Sequence, residues 1–133
     1  MASIRHEVTV EAAAEKVWDA IRDVGAIHTR LAPDFVTDTK LEGGARLVTF
    51  VNGMTAKELI VDVDDAARRL VWAVVGSPRL THHNASLQVF PEGAGRCRAV
   101  WIADILPSEL AGYMRGRIEQ GLNAMKKHLE RAG

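Results

Sequence analysis

One cysteine in 133 residues leaves no partner for an internal disulfide, so nothing in the chain demands an oxidising compartment. Net charge is also missing: 17 Lys and Arg balance 17 Asp and Glu. Phosphate backbones are held by a basic footprint, so nucleic acid is excluded as the expected partner. The same balance gives no polybasic attraction to a membrane surface. No uncharged apolar run approaches the roughly 18–20 residues of a membrane span. The opening Met1-Ala2-Ser3-Ile4-Arg5-His6-Glu7 lacks the apolar stretch of a secretory signal, and a cytoplasmic location is expected.

Catalytic signatures are absent as well. HExxH and CxxC spacings for zinc do not occur, nor does the G-x-S-x-G nucleophile elbow or a phosphate-cradling glycine loop. His82 and His83 are adjacent, so on a strand they face opposite sides and cannot share a metal. Cys97 lies between Arg96 and Arg98, which a strand sends to the other face, leaving an inert buried thiol. No metal, cofactor or nucleotide dependence is expected. No repeat, low-complexity segment or linker interrupts the chain.

What is present is ordinary globular composition, 47% hydrophobic and 26% charged. A chain of this length is expected to form one domain, 1–133, able to bury roughly two thirds of its unfolded surface. Residues 3–10 alternate with period two and read as a strand. Residues 11–23 shift to helical spacing through Ala14, Val17, Trp18 and Ile21. Residues 24–31 suit a second short helix ended by Pro33. Six strands are then expected, at 35–41, 46–52, 57–64, 70–75, 80–90 and 96–106, each bounded by turn residues. A long helix follows over 108–131, with Ser108 as its N-cap and Leu110, Met114, Ile118, Leu122, Met125 and Leu129 as its apolar stripe. The order is β-α-α-β6-α, an α+β protein with a seven-stranded curved antiparallel sheet around the C-terminal helix. A curved sheet gripping one helix tends to leave a cavity. Gly112, Gly116 and Gly121 on that helix have two readings, close packing against the sheet or room for a ligand.

This element order resembles the START-like, helix-grip superfamily, also called SRPBCC. That superfamily includes birch-pollen-allergen-type proteins, polyketide cyclase/dehydrase-like proteins and the plant abscisic-acid receptors. Locally, Ala12-Ala13-Ala14-Glu15-Lys16-Val17-Trp18 resembles the family's first-helix opening. Glu58 to Arg69 resembles its central hairpin, and Val74 to Thr81 the loop beside the ligand mouth in the receptor branch. The resemblance implies a helix-grip fold and an internal cavity for a hydrophobic small molecule. Fold alone does not fix the activity.

Strand parity names the candidate lining. Thr81, His83, Ala85, Leu87 and Val89 share one face, opposite His82, Asn84, Ser86 and Gln88, so His83 should point inward. Leu70, Trp72 and Val74 form a second set, with Trp72 matching the aromatic that the resemblance places in the pocket. Arg46, Val48, Phe50 and Asn52 form a third set, resembling pocket-facing positions. Cys97, Ala99, Trp101, Ala103 and Ile105 form a fourth, with Val100, Ile102 and Asp104 as the alternative register. Met114, Ile118, Leu122 and Met125 would line the cavity from the helix. Residues 57–64 conflict: hydropathy turns Leu59, Val61 and Val63 inward, whereas the resemblance puts the Glu58 carboxylate at the pocket mouth, with a bulge near Gly53 able to reconcile them.

His83 is the main candidate for hydrogen bonding or acid-base work, because histidine titrates near neutrality. Glu58 could orient it or move a proton, Arg46 could hold a carboxylate or enolate oxygen, and Tyr113 could close one end of the cavity. Three functions fit this set. The first is binding of a lipid, polyketide or aromatic metabolite. The second is a polyketide cyclase/dehydratase-like enzyme with His83 or Glu58 as catalytic residues. The third is a ligand-gated regulatory partner whose loops 53–56 and 76–80 close over the ligand. A monomer or homodimer is expected, without membrane insertion.

Overall fold

The computed structural model describes residues 2–131; Met1, Ala132 and Gly133, at the ends of the expected 1–133 domain, lie outside the described residues. Strand β1 (Ala2–Val10) leads into helix α1 (Ala14–Arg22) and a π-helical turn, Ile27–Leu31. Six strands follow: β2 (Val36–Glu42), β3 (Ala45–Phe50), β4 (Thr55–Asp64), β5 (Arg69–Val75), β6 (His82–Pro91) and β7 (Cys97–Leu106). A cis Leu106–Pro107 peptide and one turn of 3-10 helix, Ser108–Leu110, lead into helix α2 (Ala111–Arg131). Ser108 does not cap this helix: the chain turns in one residue earlier, at Pro107, with no side-chain cap.

The sheet is antiparallel throughout, in the order β1-β7-β6-β5-β4-β3-β2. Sequential hairpins build six strands, and β1 closes the other edge against β7. The α+β helix-grip architecture expected from the element order is present. Inward-facing Ile4, Val10, Leu70, Val89, Ala99, Ala103 and Ile105 are all at most 2% exposed, and Ile118, Leu122, Met125 and Leu129 of α2 join them in one core. Burial of Cys97, Ala99, Ala103 and Ile105 selects the first register expected for β7.

β4 resolves the conflict in its hydropathy. Its register against β5 slips between Ile60 and Asp62, leaving Val61 as the extra residue of a β-bulge. Before the bulge Glu58 and Ile60 lie opposite Val74 and Trp72 on the concave face; after it, Val63 lies opposite Leu70 on that same face. Leu59 and Val61 therefore face outward, where they are exposed, and Glu58 faces in, 7% exposed. Simple alternation fails because one inserted residue swaps the faces. The bulge lies at Val61, not near Gly53.

Helix α1 is tied to the β4–β5 turn. The Trp18 indole Nε1 donates to Asp65 Oδ1 at 3.0 Å and Arg22 Nε donates to the same oxygen at 2.8 Å. These bonds hold the Asp65 carboxyl below its ordinary pKa.

Candidate functional site: a cavity between the sheet and the long helix

Helix α2 packs on β1 and β7, at one side of the sheet. The concave face of β3, β4 and β5 is left partly uncovered, and a cavity of about 720 Å³ lies there. That volume falls within the range of small-molecule sites, about 300–1,000 Å³. Its walls are mostly apolar: Val48 and Phe50 from β3, Trp72 and Val74 from β5, Trp101 from β7, and Met114 and Ile118 from α2. Two edge-to-face aromatic pairs shape it, Phe35 with Phe50 (5.2 Å between centroids) and Trp72 with Trp101 (5.4 Å).

A smaller cavity of about 60 Å³ shares Phe35, Val48, Phe50, Glu58, Trp72 and Trp101 with it. Arg46, Leu87 and Met125 reach this smaller space rather than the main one. Gly121 marks where α2 closes on the sheet: a Cβ there would stand 3.0 Å from Phe35 and 3.1 Å from Trp101. Gly121 thus serves close packing. Gly112 and Gly116 are exposed with open space around them, so neither makes room for a ligand.

Arg46 and Glu58 lie directly opposite each other on β3 and β4. Arg46 Nε donates to Glu58 Oε1 at 2.8 Å, and Nη1 donates to the Val24 carbonyl at 3.2 Å. The guanidinium also stacks over Trp72, 5.6 Å from the ring centroid. Both side chains are nearly fully buried, so Glu58 is not a mouth residue but half of an internal ion pair. Each charge needs the other, since a lone buried charge is costly to desolvate.

His83 enters the main cavity from the start of β6. Among the described residues neither buried ring nitrogen has a hydrogen-bond partner, and the buried Nε1 of Trp101, which also lines the cavity, has none either. Desolvation, aided by neighbouring His82, pulls the His83 pKa down to about 4, so the ring is neutral at neutral pH. A neutral imidazole carries one N–H donor and one acceptor nitrogen. Buried polar groups are normally paired, so these two side chains stand out among those that line the apolar chamber.

Three expected lining residues lie elsewhere. Asn52 is exposed in the β3–β4 turn, where its Oδ1 accepts from the Met54 N–H at 3.0 Å; β3 ends at Phe50, so its parity no longer holds there. Ala85 shares the inner face but its methyl group ends within the packed core, and Leu122 lies past Gly121 where helix and sheet are in contact. Residues that the parity sets did not contain also line the cavity: Phe35 before β2, Leu80 and Arg79 in the β5–β6 loop, and Arg117 on α2. Arg117 follows Met114 by three positions and precedes Ile118, a helical spacing that could have pointed to it.

At the rim, Tyr113 donates its hydroxyl to the Met54 sulfur at 3.4 Å, and Arg79 stacks over the Tyr113 ring at 5.2 Å. The turns beside it need left-handed backbone: Gly53 has φ of 86° and Gly76 of 72°. Away from the cavity, burial pushes the Cys97 thiol up to about 11, against reactivity. Among the described residues no three His, Cys, Asp or Glu side chains are placed to hold a metal ion.

A curved sheet, a gripped helix and a hollow between them define the START-like class of helix-grip proteins. Within it, residues 1–130 match the family model described as polyketide cyclase / dehydrase and lipid transport, and the chain belongs to that family. No curated protein matches it in sequence. Among solved structures, a protein from Thermobifida fusca is 32% identical, with a TM-score of 0.81 over 98% of this chain and 95% of that one. A START superfamily protein from Mycobacterium smegmatis is 13% identical, with a TM-score of 0.76 over 98% and 99%. Norcoclaurine synthase from Thalictrum flavum, in complex with dopamine and hydroxybenzaldehyde, is 22% identical, with a TM-score of 0.69 over 95% and 84%. The last two likenesses show the fold alone. No described helix is long and apolar enough to cross a membrane.

Proposed function

We propose that the protein binds a hydrophobic, oxygen-bearing small molecule of the lipid, polyketide or aromatic class in the cavity under β3–β5. The observation that carries this reading is an apolar chamber of about 720 Å³ lined by His83 and Trp101, whose buried ring nitrogens have no partner among the described residues. The apolar wall supplies affinity. The two polar side chains supply orientation, since a ligand oxygen satisfies groups whose unpaired burial costs about 1–3 kcal/mol each. The family to which the chain belongs supports the same reading, as does the binding of small aromatic molecules by norcoclaurine synthase.

The test uses N-phenyl-naphthylamine, a neutral probe that fluoresces in apolar surroundings. It is expected to bind, and Ile118→Trp, which fills the chamber, to weaken it by at least tenfold. Acetylnaphthalene should displace the probe more strongly than ethylnaphthalene, which lacks the carbonyl. His83→Phe keeps the ring volume, and should cost the ketone about one to two powers of ten in affinity. No probe binding, or an unaltered ketone preference in His83→Phe, contradicts the reading.

A cyclase- or dehydratase-like activity is the second reading, favoured by family membership and by the free imidazole in the cavity. Its proton would pass through His83; Glu58 is already engaged by Arg46. A ring with a pKa of about 4 is a weak base at neutral pH, which favours binding over catalysis. Were His83 the acid or base, His83→Phe would lower turnover by about 10²–10⁴-fold with a smaller change in affinity.

A further inference from the structure

The charges along the cavity wall do not cancel, although those of the whole chain do. Lys40, Lys57, Arg79 and Arg117 line the cavity, against Asp38 and Glu58. Glu58 is neutralised by Arg46, Asp38 stands 3.9 Å from Lys40, and Lys57 stands 3.8 Å from Glu42. Arg79 and Arg117 remain: among the described residues neither forms a salt bridge.

Both guanidiniums rest on aromatic faces instead. Arg117 lies 4.7 Å from the Phe35 centroid and 5.0 Å from that of Phe50, and one of its N–H groups donates to Gln120 Oε1 at 3.1 Å. Arg79 lies over Tyr113, in a loop held by the Ser77 hydroxyl, which accepts from the Arg79 and Leu80 N–H groups at 3.3 and 3.2 Å. Stacking on a ring occupies the flat face of a guanidinium and leaves its edge, where the N–H donors are, free to grip an oxyanion. The two arginines come from different elements, α2 and the β5–β6 loop, and both belong to the wall of one cavity.

We infer that the ligand is an anionic amphiphile: an apolar body inside the chamber, with a carboxylate, sulfonate or phosphate held at the mouth by Arg79 and Arg117. This rests on the cavity being a ligand site, and deepens that reading by naming the charge of what enters. Arginine on each side recognises the oxyanion, while the apolar wall excludes small inorganic anions that lack a body to bury.

The test compares two probes that share one skeleton. Anilinonaphthalene sulfonate carries the sulfonate; N-phenyl-naphthylamine is the same molecule without it. The sulfonate is expected to bind about tenfold more tightly or better, as two charge-assisted contacts imply. Arg79→Gln and Arg117→Gln should each lower the ratio of the two affinities by about threefold or more, and the double variant should bring it near one. Arg115→Gln removes the same charge from an exposed position of α2 and should leave the ratio as it is. Equal affinities in the native protein, or an equal fall of the ratio in Arg115→Gln, overturn the anion at the mouth while the cavity reading stands. Binding of neither probe overturns both.

Discussion

The two halves of α2 meet the same sheet with opposite results. From Gly121 onward, Leu122, Met125 and Leu129 are buried and only the small space of about 60 Å³ beside Met125 is left between helix and sheet. Before Gly121, Tyr113, Met114, Arg117 and Ile118 face a chamber. The helix lies over β1 and β7 rather than over β3–β5, and its halves differ in the side chains they carry. Close approach at Gly121 sets the floor of the cavity, and the bulky Phe35 and Trp101 rings close it. One fold thus holds a part whose packing gives stability and a part whose incomplete packing gives a site.

The sharpest way to break this division lies on the floor, at the Arg46–Glu58 pair. Glu58→Gln leaves a buried guanidinium without its counter-charge and should cost about 3–5 kcal/mol in denaturant unfolding. The double replacement Arg46→Met with Glu58→Leu should recover most of that loss. A single variant as stable as the native protein would show the pair to be solvated. Next, Leu122→Ala should cost about 2–5 kcal/mol, and Met114→Ala, beside the cavity, less than about 1 kcal/mol. Equal losses would erase the distinction between the filled and hollow halves.

His83 gives a smaller, pH-dependent effect. Its folded pKa of about 4 lies below the ordinary 6.5, so the unfolded chain binds a proton that the folded protein refuses. Stability is therefore full above pH 6.5, and falls as pH drops from about 6.5 to 4, by up to about 3 kcal/mol. His83→Phe should flatten that slope; an unchanged slope in urea titrations across the window would mean that the ring is solvated. The smallest effects are opposite in sign. Gly116→Ala has open space and should stabilise the helix by about 0.5–1 kcal/mol. Gly121→Ala presses on Phe35 and Trp101 and should destabilise by about 1–3 kcal/mol less that same helical gain.

Much of this is legible in the sequence. Alternation placed the inner face of β6 and one of the two registers offered for β7, and helical spacing placed the stripe of α2, because those elements bury one face without interruption. β4 was misread by hydropathy for a specific reason. Its outward Leu59 and Val61 are apolar, its inward Glu58 is charged, and the bulge that exchanges the faces leaves no mark in a two-residue period. Glu58 becomes intelligible only with Arg46 opposite it, a pairing fixed by a hairpin register that hydropathy does not carry. Asn52 failed because the strand ended two residues before it. Arg79 and Arg117 escaped notice because a charged residue next to an apolar stripe reads as solvent-facing, and only the tertiary arrangement turns both toward one opening.

The paired indoles of Trp72 and Trp101 give the chamber an optical signature. Their rings stand 5.4 Å apart at 71°, a fixed chiral arrangement close enough for their electronic transitions to mix. The remaining indole, Trp18, is bound to Asp65 outside the cavity and supplies a constant background. A molecule entering between the walls must change the field around one pair of chromophores and leave the third alone. Occupancy of the cavity is therefore readable from circular dichroism and intrinsic emission, with no label attached.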